Sequence, residues 1–195
     1  LTNGSLTAKD TISTKKLIAK DGISVGKLEN SGMVATDKKI SIKGNVTNSG
    51  EIQAIDNITV LGNVTNSGEI LTNNSFSAKD TVTTKKLIAK EEITTDKLEN
   101  KGTVATNKDL NINKDLINSG NIQAIGKISV TENTNNKGEI LTNSSFSSKD
   151  TLSTKKLIAK DGISVSKLEN SGIVATDKKL DIKDNLINKG TIQAV

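Results

Sequence analysis

Across 195 residues the chain has no cysteine, no histidine, no proline, no tryptophan and no tyrosine, and its only aromatics are two phenylalanines. Each absence excludes something. Without His or Cys there is no Ser-His or Cys-His nucleophile, no haem ligand, no iron–sulfur cluster and no ordinary zinc site. All 27 basic residues are lysine, so the planar fork that best reads carboxylates, phosphates and guanine edges is missing too. The net charge of +5 is dispersed over 27 bases and 22 acids. With neither a basic cluster nor interleaved aromatics, nucleic acid is not an expected partner. No apolar run reaches the ~18–20 residues of a membrane span, so no membrane insertion is expected. Zero cysteine does not choose between an oxidising and a reducing compartment.

Hydrophobic residues make up 33 %, below the roughly 45–50 % of an ordinary globule, and they are almost all Ile, Leu, Val and Ala. A thin, repetitive, β-rich structure fits that composition better than a conventional core.

The order in the sequence is a repeat. LTNGSLTAKDT at Leu1 returns as LTNNSFSAKDT at Leu71 and LTNSSFSSKDT at Leu141, a period of 70 residues without insertion or deletion. The copies are 1–70, 71–140 and a partial 141–195, read together as one shaft segment of a longer chain. Inside each copy a shorter motif recurs, Asn-x-Gly-x-(Ile/Val)-x-(Ala/Thr). Anchored on its aliphatic, it predicts a core column of Ile18, Val34, Ile52, Ile70, Ile88, Val104, Ile122, Ile140, Ile158, Val174 and Ile192, spaced 16, 18, 18 and 18 residues.

Within a unit, Ile52-x-Ala54, Ile58-x-Val60 and Val64-x-Asn66 alternate with period two, which means three short strands. One unit alone would unfold. Its few buried aliphatics contribute roughly 1.5–3 kcal/mol each, against an ordering cost of about 1–2 kcal/mol per residue. Stacking each coil on the next pairs like strands in parallel and buries one continuous aliphatic column. The predicted fold is an all-β parallel β-helix of about eleven coils, 16 or 18 residues each, on the order of 50 Å long at ~4.8 Å per coil. Its ends carry unpaired strands, so end-to-end self-stacking is expected of the isolated segment.

The asparagines Asn30, Asn48, Asn66, Asn100, Asn118, Asn136, Asn170 and Asn188 are read as a structural ladder, since stacked amides donate and accept along a parallel array. In every fourth coil Thr14, Thr84 or Thr154 replaces Asn, and Lys16, Lys86 or Lys156 stands where Gly would. That joint change is read as a corner requiring a left-handed glycine beside an Asn bond. Phe76 and Phe146, with Leu6 as counterpart, are expected in the core. The hydroxyl column Ser24, Ser41, Thr59, Ser77, Thr94, Ser129, Ser147 and Ser164 is interrupted by Asn111 and Asp181, so a solvated face is favoured over an ice-binding array. The lysine pairs Lys15-Lys16, Lys85-Lys86 and Lys155-Lys156 recur ~19 Å apart and are read as solvated, with an anionic glycan or membrane contact as the weaker option. Acid pairs such as Glu91-Glu92 resemble a general acid and base but would point to opposite faces of a strand. No catalytic residue, cofactor or metal is expected.

Through Asn48 to Ala54, Asn118 to Ala124 and Asn188 to Ala194, the chain resembles the filamentous haemagglutinin family of large bacterial exoproteins. The resemblance implies a right-handed β-helix shaft on the cell surface, secreted through an outer-membrane partner by the two-partner pathway. It also implies a host or bacterial surface receptor engaged by regions outside this segment. An adhesin shaft is the first functional expectation. The stalk of a contact-dependent growth inhibition toxin is the second. A polysaccharide-degrading β-helix enzyme comes last, because the uniform spacing leaves no room for loop insertions and aromatic subsites.

Overall fold

The computed structural model describes residues 1–195. It contains strands, bends and turns and no helix, and its strands pair in parallel into a β-solenoid of about ten turns. Eleven rungs lie in register, each opened by one residue of the series Leu6, Ile23, Ile40, Ile58, Phe76, Ile93, Leu110, Ile128, Phe146, Ile163 and Leu180. We number them 1 to 11 in that order.

Each rung has three faces. In rung 3 these are the separate strands Ile40–Ile42, Val46–Asn48 and Glu51–Ala54. Alternation places Ile40, Ile42, Val46, Asn48, Ile52 and Ala54 inside and the residues between them outside, as period two requires. In rungs 1 and 2 the three faces run together into single strands, Leu6–Ala19 and Ile23–Thr36. Those rungs are one residue shorter than rung 3, and a tighter corner keeps the ladder continuous around the bend.

The buried hydrophobic residues form one cluster of 39 running the length of the rod. Phe76 and Phe146 lie wholly inside it, stacked on Ile58 and Ile128. Polar groups that point inward are all satisfied, and no buried side-chain nitrogen or oxygen lacks a partner. The inward threonines show how. Thr72 Oγ1 donates to the Asp56 carbonyl at 2.5 Å and accepts from the Asn74 amide at 3.1 Å, and Thr106 bridges the Glu91 carbonyl and the Lys108 amide in the same way. A bend of the preceding rung is thereby tied to the one above it.

The expected core column needs one correction. Val34, Ile52, Ile70, Val104, Ile122, Ile140 and Val174 are buried in it, and Ile192 half-buried in the last rung. Ile18, Ile88 and Ile158 are not. Their leucine neighbours Leu17, Leu87 and Leu157 point inward, paired with Val34, Val104 and Val174, while the three isoleucines face outward and pair with Ala35, Ala105 and Ala175 or, for Ile158, with Leu141 and Ala175. Counting four residues from Asn48 reaches the inward Ile52. Between Thr84 and the inward Leu87 there are only three, because that corner has lost a residue and the in–out phase flips. From Leu17 through Val34, Ile52 and Ile70 to Leu87 the column is therefore spaced 17, 18, 18 and 17 residues, not 16, 18, 18 and 18.

Candidate functional site

The asparagine corner is the most ordered polar feature of the rod. Asn30 Nδ2 donates to Asn48 Oδ1 at 2.8 Å, Asn48 to Asn66 at 2.7 Å, and Asn66 to Thr84 Oγ1 at 2.9 Å. The next copy repeats this from Asn100 to Asn118 and Asn136, both at 2.8 Å, and on to Thr154 at 2.9 Å. Asn170 donates to Asn188 at 2.9 Å. Except for Asn188, exposed in the last rung, each amide is saturated besides. Asn118 Nδ2 also meets the carbonyls of Gly120 and Glu139, both at 3.0 Å, and its Oδ1 accepts from the Gly120 amide at 3.2 Å. A side chain with every donor and acceptor committed inside the rod offers nothing to a ligand.

The glycine in this corner has a different cause from the one its spacing implied. Positive φ occurs only at Gly22 and Gly162, two glycines of another corner. The corner glycines are needed for close approach. A Cβ on Gly50 would stand 2.0 Å from the Gly32 carbonyl oxygen, and one on Gly120 the same distance from that of Gly102. Glycine stacks on glycine because only a backbone without a side chain lets consecutive corners come this near. The lysine in every fourth rung does not replace it. Asn66 pairs with Thr84 and Glu69 with Lys86, so Lys85 alone spans the place of Ser67 and Gly68, and Lys86 stands over Glu69.

The remaining positions singled out in the sequence sit on the outside. The hydroxyl column from Ser24 to Ser164 is in register, with Asn111 within it and Asp181 stacked beyond Ser164 in the last rung. Lys15, Lys85 and Lys155 are exposed, while Lys86 and Lys156 pair with Glu69 and Glu139 at 3.0 and 2.6 Å. Glu91 and Glu92 do not lie on a strand. They occupy the bend between Ala89 and Ile93, both exposed, and Thr94 Oγ1 donates to Glu92 Oε1 at 3.0 Å.

Two carboxylates are held below their ordinary range. Hydrogen bonds to Glu29 from Lys27 and then from Ser13, each 2.8 Å, stabilise its ionised form. Asp96 is held down first by Asn113 at 3.1 Å and then by Lys114 at 3.0 Å, and Asp96 raises Lys114 in return. All are surface groups. The shallow depressions along the rod include one lined by Ile18, Ala35, Ala54, Ile55, Leu71 and Ile88 and its counterpart in the next copy, lined by Ala105, Ala124, Ile125 and Leu141. Sequence reasoning missed this outward apolar column because it had placed Ile18, Ile88 and Ile158 in the core.

No family model, no curated protein and no solved structure matches the chain.

Proposed function

We propose that this chain is the shaft of a bacterial surface filament, a stiff spacer that projects distal binding regions in the manner of a filamentous haemagglutinin-like adhesin. The observation that carries the reading is the unbroken parallel register across eleven rungs, with no insertion between strands longer than the bend itself. Such a solenoid converts sequence into length at a fixed rate of ~4.8 Å per rung, and each rung is held by its neighbours through ladder bonds and core contacts on both sides. Polar groups inside the rod are satisfied by the rod itself. Reach and stiffness are what this architecture supplies.

Copy number tests the reading. Because Leu71 and Leu141 occupy equivalent places, residues 71–140 can be deleted or duplicated without changing the register. Displayed on a cell beneath a fixed binding module, chains with one, two or three copies should carry that module outward in steps of ~19 Å, and attachment across a gap of set width should begin at a defined copy number. Attachment that ignores copy number, or that persists without the distal module, removes the spacer role.

A further inference from the structure

We propose that a second copy of this chain covers the outward apolar stripe, packed antiparallel against it. The stripe follows from the flipped phase described above. Ile18, Leu71, Ile88, Leu141 and Ile158 share one outward column on the face that ends each rung. Where the column reaches Gln53 or Gln123, the corner of the same rung supplies Ile55 or Ile125, each 54 % exposed. Ala35, Ala105 and Ala175 fill the remaining rungs, so apolar surface continues from rung 1 to rung 10. The face that opens each rung presents hydroxyls instead. Over ten rungs the stripe with the charged column beside it measures about 48 Å by about 13 Å, so a copy laid along it would cover on the order of 600 Å². That is close to the ~800 Å² per partner of a stable interface.

Charge decides the occupant and its direction. One column beside the stripe carries Glu69 paired with Lys86 and, four rungs on, Glu139 paired with Lys156. Place a two-fold axis parallel to the strands, between rungs 6 and 7, and rung 4 of one copy faces rung 9 of the other while rung 5 faces rung 8. Leu71 then meets Ile158, Ile88 meets Leu141, Glu69 meets Lys156 and Lys86 meets Glu139, so each intrachain ion pair completes an alternating quartet. The small alanines fall opposite glutamines. A parallel pairing about the rod axis would instead set Lys86 against Lys90 in the same rung. Shifting the antiparallel register by four rungs keeps the charge match but overlaps fewer rungs. A second copy has the pitch to engage every repeat at once, whereas a globular partner meets only one. An anionic lipid surface is opposed by the glutamates.

Sedimentation of the full chain tests this. The wild type should show a closed monomer–dimer equilibrium. The variant I88K/L141K should weaken dimerisation at least about tenfold by setting like charges within the stripe. E69K/K86E keeps its intrachain pair but faces Lys156 with Lys and Glu139 with Glu, and should weaken the dimer by about tenfold. Adding E139K/K156E to it restores every opposition and should return the affinity to near wild type. Circular dichroism confirms that each variant retains strand, and the charge swaps lie on half-exposed surface residues, so they remain informative even if I88K/L141K misfolds. A monomer at every concentration, an open-ended series of species from end-to-end stacking, or a dimer indifferent to both charge swaps overturns the proposal.

Discussion

The Asn-Ser-Gly corner of rung 4 and the Thr-Lys corner of rung 5 lie directly over one another and differ by a single residue. In the first, Asn66 leads through Ser67 and Gly68 to Glu69. In the second, Thr84 leads through Lys85 to Lys86. That residue changes three things together. It removes the glycine, because the shorter corner no longer brings a backbone carbon into the rung beneath it. It ends the amide ladder, since Thr84 accepts from Asn66 and Asn100 begins a new run by donating to Asn118. It also shifts the in–out phase of the following strand, so that Leu87 goes in and Ile88 goes out. This deletion builds the exterior stripe and, together with a second one-residue deletion at the Asp96-Lys97 corner of the next rung, shortens four 18-residue rungs to the 70-residue period.

The largest effect expected from this comparison separates two isoleucines that look alike in the repeat. Ile122 follows a long corner and is wholly buried. Ile122→Asp would place an unpaired charge in the aliphatic column and should cost about 3–5 kcal/mol. Ile88 follows a short corner and faces outward, half-buried beside Leu71 and Ala105, so Ile88→Asp should cost only about 1 kcal/mol in the monomer. Urea unfolding of dilute protein followed by circular dichroism measures both. Similar losses at the two sites would mean that Ile88 belongs to the core after all.

Next in size is the corner backbone itself. Gly120→Ala sets a methyl group 2.0 Å from the Gly102 carbonyl carbon's oxygen, and relieving that overlap should cost about 1–3 kcal/mol. Lys85→Ala, at the short corner, removes only an exposed side chain and should change the unfolding midpoint hardly at all. A tolerated Gly120→Ala would show that the corners stand further apart than described.

These two contrasts also mark where the sequence was legible. The parallel solenoid could be read from period two inside a fixed long period, because alternation and stacking leave few other ways to bury Ile52, Ile58 and Val64 together. Phe76 and Phe146 were legible for the same reason. The phase at Ile18, Ile88 and Ile158 was not, since a one-residue deletion at a corner is invisible when Thr-Lys-Lys is aligned residue for residue with Asn-x-Gly. The glycine's reason was hidden as well. Its identity was plain from the motif, but a close approach between rungs is a property of the stack, and the motif by itself suggested a left-handed turn. At the candidate site, the asparagine positions followed from the repeat, while the apolar exterior could be seen only once the phase was known.

A smaller effect sharpens the contrast between amide and hydroxyl in the ladder. Asn118→Ala leaves the Asn100 amide and the Gly120 N–H each short of an oxygen and withdraws a donor from Asn136 and from the Glu139 carbonyl. About 1–3 kcal/mol should be lost. Thr84→Ala takes one acceptor from Asn66, which still reaches the Lys86 carbonyl at 2.7 Å, and about 0.5–1.5 kcal/mol is expected. Equal losses at both positions would mean that the additional hydrogen bonds of the amide add nothing to the stability of the ladder.

The smallest effect concerns pH and the other kind of short corner, where Lys27 follows Gly26 and Lys97 follows Asp96. Glu29 and Asp96 titrate below the ordinary values of 4.5 and 3.8, because hydrogen bonds and lysine charge stabilise their ionised forms in the folded rod. Their contribution is therefore complete above the unfolded-chain values and disappears as the pH falls through the depressed ones. Lys114, raised by Asp96, acts in the opposite sense. Its share is complete below the ordinary lysine value and is lost as the pH rises through the elevated one. All three groups lie in solvent, so screening keeps the amplitudes small, and added salt should shrink them further. Carboxyl-detected NMR should find the Glu29 midpoint below 4.5, and Lys27→Ala should move it back upward more than Ser13→Ala does, since the lysine bond is the larger cause. A Glu29 midpoint indifferent to Lys27 would mean that this short corner does not hold the lysine against the carboxylate.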